Sequence, residues 1–178
     1  MRSKNKEPKV SVVMPLYNEE RYIGDCIESL LTQDYPAEEM EWIFVDGMSN
    51  DATMEILHKY QKLYPALIRV FENPNKTVPY AMNIGIEKSR GRYIVRLDAH
   101  ADYSPDYISK CVHYLDTIDA DNVGGVAETK AKTIFGRTIA KMLSSKFGVG
   151  DSQFRTGGAS GYVDTVPFGA FKKEVFDN

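Results

Sequence analysis

A chain of 178 residues, 43% of them apolar and 11% aromatic, has the material for one buried core and falls outside the disordered class. Its formal net charge of −3 leaves no electrostatic footprint for nucleic acid or an anionic membrane. No apolar run approaches the roughly 20 residues that span a bilayer and no signal-peptide core follows Met1, so the expected setting is cytoplasmic.

Residues 1–9 read as a solvated lead-in, with Arg2, Lys4, Lys6 and Lys9 spaced among polar neighbours. Val10 to Met14 is a short apolar run ended by Pro15, the pattern of a buried strand. Asn18 is the expected cap of a first helix, with Glu19 and Glu20 at the positive end of its dipole. The inward face of that helix is Ile23, Cys26, Ile27, Leu30 and Leu31. A second strand, Glu41 to Val45, ends at Asp46-Gly47. A second helix follows, capped by Ser49 or Asn50, with Ile56, Leu57, Tyr60, Leu63 and Tyr64 inward. Leu67 to Phe71 is a third strand. Pro79 stands where the first residue of a third helix belongs, and Gly91 stops that helix.

The fourth strand, Arg92 to Leu97, delivers Asp98. Ser104-Pro105-Asp106 reads as cap and first residues of a helix that buries Ile108, Cys111, Val112 and Leu115. Asn122 to Ala127 is a fifth strand, Thr133 to Phe147 a helix, Gly148 to Tyr162 a glycine-rich loop, and 163–175 one or two more strands. Cys26 and Cys111 lie on apolar stripes and are expected to pack as free thiols. His58 and His113 are expected at the surface. Strands alternating with helices of this length predict right-handed βαβ units and a mostly parallel sheet. Structure still reads as packed at Phe176, two residues before the sequence stops, so the fold is expected to be C-terminally truncated.

Ligands of open α/β sheets bind beyond the carboxyl ends of the strands. Three polar clusters fall there: Pro15-Leu16-Tyr17-Asn18-Glu19, Asp46-Gly47-Met48-Ser49-Asn50-Asp51, and Asp98-Ala99-His100. An extended chain at the last of these turns Arg96, Asp98, His100 and Asp102 to one side, an arrangement suited to a divalent cation and a phosphorylated ligand. Asp102 is better assigned to the loop before Ser104 than to the cation. Arg96, on a strand expected to be apolar on both faces, is expected buried, with Asp98 or Asp46 as its partner. No G-x-G-x-x-G follows the first strand, so the dinucleotide reading loses its main support, and a P-loop pattern is absent as well. A sugar-phosphate nucleotidyltransferase would need a glycine-rich phosphate loop where Pro15-Leu16-Tyr17-Asn18 stands.

At these residues the chain resembles the inverting family 2 glycosyltransferases. The matching segments are Val12-Val13-Met14-Pro15-Leu16-Tyr17-Asn18-Glu19, Phe44-Val45-Asp46-Gly47-Met48-Ser49-Asn50-Asp51, Ala81-Met82-Asn83-Ile84-Gly85 and Leu97-Asp98-Ala99-His100, in the family's order over most of residues 10–128. The stretch Arg96 to Ala101 is similar to the branch containing succinoglycan-type exopolysaccharide transferases. The resemblance implies a three-layer α/β/α GT-A (Rossmann-like) fold: residues 10–128 a nucleotide-sugar donor domain, 129–178 the start of an acceptor-side region. It implies donor-binding positions at Pro15, Leu16, Tyr17, Glu19, Asp46, Asn83, Arg96, Asp98 and Ala99. Pro15, Tyr17 and Glu19 would shape the nucleoside pocket, and Asp46 would hydrogen-bond the base. Asp98 and His100 would hold a divalent cation, Mn²⁺ or Mg²⁺, in place of the family's Asp-x-Asp pair; imidazole at the second position suits Mn²⁺ better. The implied partners are a nucleotide-diphosphate sugar and a glycan or lipid-linked hydroxyl acceptor, with membrane contact only through residues after Asn178. The general base is likewise expected beyond Asn178, so the chain itself is expected to bind donor without turnover. The rival reading is a nucleotide-sugar-binding module with no activity.

Overall fold

The computed structural model describes residues 7–126, 161–163, 166 and 168–177. The first two strands, β1 (Val10–Leu16) and β2 (Met40–Asp46), are buried along their whole length, as parallel strands covered on both faces must be. They pair in parallel from Val10↔Met40 to Leu16↔Asp46, and β2 continues in parallel to β3 (Ile68–Glu72). On the other side of β1 lies β4 (Tyr93–Arg96), also parallel. Two short strands, β5 (Asn122–Val123) and β6 (Ala170–Lys172), complete the sheet in the order β3-β2-β1-β4-β6-β5, with β6 antiparallel to both its neighbours.

The helices sort by the direction in which the chain steps across this sheet. Stepping from β1 to β2 to β3, it places α1 (Ile23–Leu31) and α2 (Thr53–Leu63) on one face, where Ile23, Ile27, Leu30 and Leu57 pack on Val12, Met14 and Trp42. Stepping back from β3 to β4, it lays α3 (Val78–Lys88) on the other face, where Ala81 meets Val13, Ile43, Val45 and Ile94. Crossovers of one hand require this switch of faces. Gly85 lets α3 approach closely: a Cβ there would stand 2.2 Å from Val13 Cγ1. The fourth helix, α4 (Tyr107–Thr117), buries Ile108, Cys111, Val112 and Leu115 on the α1 side. Helix, sheet and helix make the three expected layers, and Cys26 and Cys111 are buried free thiols.

Helix starts depart from expectation, at α1 and α4 because tertiary partners take the side chains or amides concerned. Asn18 sits at φ 55° in a turn before α1, and its side chain accepts from Asn50 N. In α2 the capping oxygen is Asp51 Oδ1, 3.0 Å from Thr53 N, while Ser49 turns back onto Asp46. Pro79 is the second residue of α3 and not the first. At α4, the N–H of Ile108 donates to Gln33 Oε1 (3.1 Å), so the cap comes from beyond the end of α1 and not from Ser104. Leu63 and Tyr64, expected inward, are exposed at the end of α2. The strand expected at Asn122 to Ala127 ends at Val123. The helix expected at Thr133 to Phe147, and the loop before Gly161, lie outside the described residues. Among those described, no helix is long and apolar enough to cross a membrane.

Candidate functional site

In the order β3-β2-β1-β4 the succession of strands reverses between β1 and β4, which stay parallel, and a crevice opens at the carboxyl ends of strands around such a point. Here it is an open cleft of about 210 Å³. One wall is Pro15 and Leu16 at the end of β1 with Tyr17 and Glu19 from the turn that follows; another is Arg96 at the end of β4 with Asp98 and His100 beyond it; Gly47 follows β2. The third wall was not anticipated: Asn73, Lys76 and Thr77 after β3, with Val78 and Ala81 of α3.

Each wall is held by specific bonds. The turns after β1 and β2 are stitched by five hydrogen bonds. Asn18 N donates to Ser49 Oγ (2.8 Å), Asn50 N to Asn18 Oδ1 (3.0 Å) and Glu19 N to Thr53 Oγ1 (2.8 Å); Glu20 N donates to Asp51 Oδ2 (3.2 Å) and Ala52 N to Glu20 Oε2 (3.0 Å). Beneath them Asp46 is buried, and its carboxylate accepts from both Ser49 N (2.8 Å) and Ser49 Oγ (2.5 Å). The β3–α3 turn hangs on Asn73, fully buried, whose N–H donates to Asp46 O (2.7 Å) and whose side chain donates to Thr77 O (2.9 Å). Its carbonyl accepts from Lys76 N (3.0 Å), and Lys76 takes φ 61° to close the turn. The Asn73-Pro74-Asn75 run is a turn signal that could have pointed here.

On the β4 side, the Tyr103 hydroxyl bridges the main chain of Asp98, accepting from its N–H (2.7 Å) and donating to its C=O (3.1 Å). Arg96 is not buried as its strand suggested. It is the last residue of β4, its side chain is 41% exposed, and Nη2 meets Asp98 Oδ1 at 3.3 Å, so water reaches the guanidinium while the expected acid partners it. His100 Nδ1 faces Glu19 Oε1 at 3.1 Å across the cleft mouth. Asp102 is exposed in the loop, and His58 and His113 are at the surface.

The cleft thus gathers Pro15, Leu16, Tyr17, Glu19, Arg96, Asp98 and His100. Three other positions implied by resemblance do not line it: Asp46 lies under the turns, Asn83 is exposed on α3, and Ala99 is packed in the core. Among the described residues, no cluster of three or more His, Cys, Asp or Glu side chains is arranged to hold a metal.

Residues 11–178 match the model of glycosyl transferase family 2. The chain belongs to this family. Among curated relatives it is 29% identical over 172 residues to the dolichyl N-acetyl-alpha-D-glucosaminyl phosphate 3-beta-D-2,3-diacetamido-2,3-dideoxy-beta-D-glucuronosyltransferase of Methanococcus voltae, covering 93% of this chain and 53% of that protein. It is 34% identical over 137 residues to the poly(ribitol-phosphate) beta-glucosyltransferase of Bacillus spizizenii, covering 76% and 21%. The chain therefore spans about half of the first relative's length and about a fifth of the second's. Among solved structures, the mannosyltransferase PcManGT of Pyrobaculum calidifontis, in complex with GDP-Man and Mn²⁺, superposes over 97% of this chain and 46% of its own, with a TM-score of 0.70 at 21% identity. Residues 1–349 of Staphylococcus aureus TarS, in complex with UDP, superpose over 70% and 38%, with a TM-score of 0.57 at 25% identity. The fold is the GT-A α/β fold.

Proposed function

We propose that this family 2 domain binds a nucleotide-diphosphate sugar in the cleft between β1 and β4, and that the full-length protein transfers the sugar with inversion to a glycan or lipid-linked hydroxyl. The observation that carries the reading is the convergence, at the switch point of the sheet, of the wall bearing Pro15, Leu16 and Tyr17 with Arg96 and Asp98 from the β4 side and Lys76 from the turn after β3. Pro15, Leu16 and Tyr17 offer a surface for a nucleoside; Arg96 and Lys76 offer positive charge to a diphosphate. Asp46, through Ser49, fixes the turn that carries Tyr17, and it reaches the base only by way of that turn.

Asp98 and His100 line the same cleft, one carboxylate and one imidazole. That donor set fits a divalent cation that keeps its remaining positions for phosphate oxygens and water, with imidazole weighting the choice towards Mn²⁺ over Mg²⁺. Bound there, the cation would act as a Lewis acid that offsets charge on the leaving diphosphate. Arg96 orients the Asp98 carboxylate and shares in that neutralisation. Residues 10–128 are read as the donor domain, working at the cytoplasmic side, and the names of the relatives, one dolichyl-linked and one acting on poly(ribitol-phosphate), support a polymeric or lipid-linked acceptor.

Titration calorimetry with UDP and GDP, each with Mn²⁺, Mg²⁺ or chelator, tests this. Binding of at least one nucleotide that strengthens with cation, and weakens at least tenfold in Arg96→Leu, is expected. Full affinity in Arg96→Leu, or no binding of either nucleotide, overturns it.

A further inference from the structure

We propose that Glu19 is a positioning residue for His100, holding the imidazole as its Nδ1–H tautomer so that Nε2 is left as the electron-pair donor of the cleft. The inference rests on the cation reading above for its purpose, but not for its geometry. Glu19 Oε1 stands 3.1 Å from His100 Nδ1. An ionised carboxylate only accepts, so the ring nitrogen facing it carries the hydrogen, and a neutral ring then presents its lone pair at Nε2.

Glu19 is the fixed member of the pair. Its main-chain N–H donates to the fully buried Thr53, and its carbonyl accepts from Tyr22 N and Ile23 N, each at 2.9 Å. Its side chain is 17% exposed against 59% for His100, so a sheltered carboxylate orients an open ring. Tyr22 pairs edge-to-face with that ring, with centroids 6.5 Å apart. Unconstrained histidine side chains favour the opposite tautomer, with the hydrogen on Nε2. Carboxylates bonded to the far nitrogen of metal-binding histidines play this orienting part in general. Glu19 therefore serves the cation side of the cleft as well as the nucleoside side, and it does so from a turn 81 residues away in sequence.

Long-range ¹H–¹⁵N correlation spectra of the ¹⁵N-labelled full chain at pH 8, without metal, read the tautomer directly. His100→Ala assigns the signal, and His58 and His113 report that each variant is folded. The expected wild-type spectrum shows hydrogen on Nδ1 and a bare Nε2; Glu19→Ala moves the hydrogen to Nε2, and Glu19→Gln gives a mixture. Mn²⁺ affinity in the presence of UDP is expected to fall by about 10- to 100-fold in Glu19→Ala. A wild-type ring protonated on Nε2 or on both nitrogens, or a tautomer indifferent to Glu19, overturns the inference. Failure of Mn²⁺ to broaden the His100 signals of the wild type, with the tautomer as expected, instead overturns the cation reading and leaves the orienting role of Glu19 standing.

Discussion

Removing one oxygen atom, in Tyr103→Phe, tests how the strand-end acid is held. The ring is kept: it packs at 5.9 Å on Phe168 and 5.6 Å on Tyr107, contacts that phenylalanine preserves. What goes is a hydroxyl that both accepts from Asp98 N (2.7 Å) and donates to Asp98 O (3.1 Å). Two such bonds at about 1 kcal/mol each give a loss of about 2 kcal/mol. The Asp98 carbonyl keeps a weak donor in Cys26 Sγ at 3.9 Å, so the orphaned group is the N–H, and desolvating it sets an upper bound of about 3 kcal/mol. For a chain of this size, 2 kcal/mol lowers Tm by about 4–8 °C. Because the closed loop carries both Asp98 and His100, a nucleotide that needs it closed loses affinity by at most about 30-fold, the same 2 kcal/mol at 1.4 kcal/mol per decade. Urea unfolding gives the global loss, and amide exchange across residues 98–102 shows whether the loop opens locally. Unfolding within about 0.5 kcal/mol of wild type, with unchanged exchange in that loop, would refute the clamp.

Gly85→Ala forces a methyl to 2.2 Å from Val13 Cγ1, so a net loss of about 1–3 kcal/mol is expected after the helix gains from alanine; Val13→Ala in the same chain should restore part of it in denaturant melts. Glu41 is fully buried and accepts from Ser11, Arg69 and Arg90; burial disfavours its charge, but the bonds from Arg90, Ser11 and Arg69 outweigh that and hold the carboxyl below its usual 4.5. Glu41→Gln should cost about 2–3 kcal/mol at pH 7, the low end for a broken buried pair because Arg69 and Arg90 are 29% and 52% exposed. The stabilisation from a depressed carboxyl is complete above the unfolded value and lost as pH falls through the folded one, so the gap between wild type and variant should narrow below about pH 4.5, read by thermal melts across pH. Burial pushes the Cys26 thiol up to about 12 and the Cys111 thiol up to about 11, so neither should react with a disulfide reagent at pH 8 until the chain is unfolded; two rapidly titrating thiols in native buffer would contradict this.

The sheet was legible because apolar runs such as Val10 to Met14 and the helical stripe from Ile23 to Leu31 report burial directly, and burial is what those elements do. Helix starts were less legible. Gln33 capping α4, or Asn18 serving Asn50 in place of its own helix, depends on which turns meet in space, and local chemistry does not encode that. In the site, the strand-end residues Tyr17, Asp98 and His100 were found because chain order places them where parallel sheets bind ligands. Arg96 was misplaced by treating the end of β4 as though it were the middle. Asn73 and Lys76 were missed because the turn after β3 enters the cleft only once α3 crosses to the far face, a consequence of topology.

The five bonds between the turns after β1 and β2 bear on how this cleft can change. Swapping either turn for that of a relative would leave backbone amides such as Asn18 N, Glu19 N or Asn50 N facing the wrong side chain. Residues 17–20 and 49–53 therefore behave as a single cassette split across the sequence. Altering nucleoside preference by recombination should succeed when both halves travel together and fail when one is moved alone.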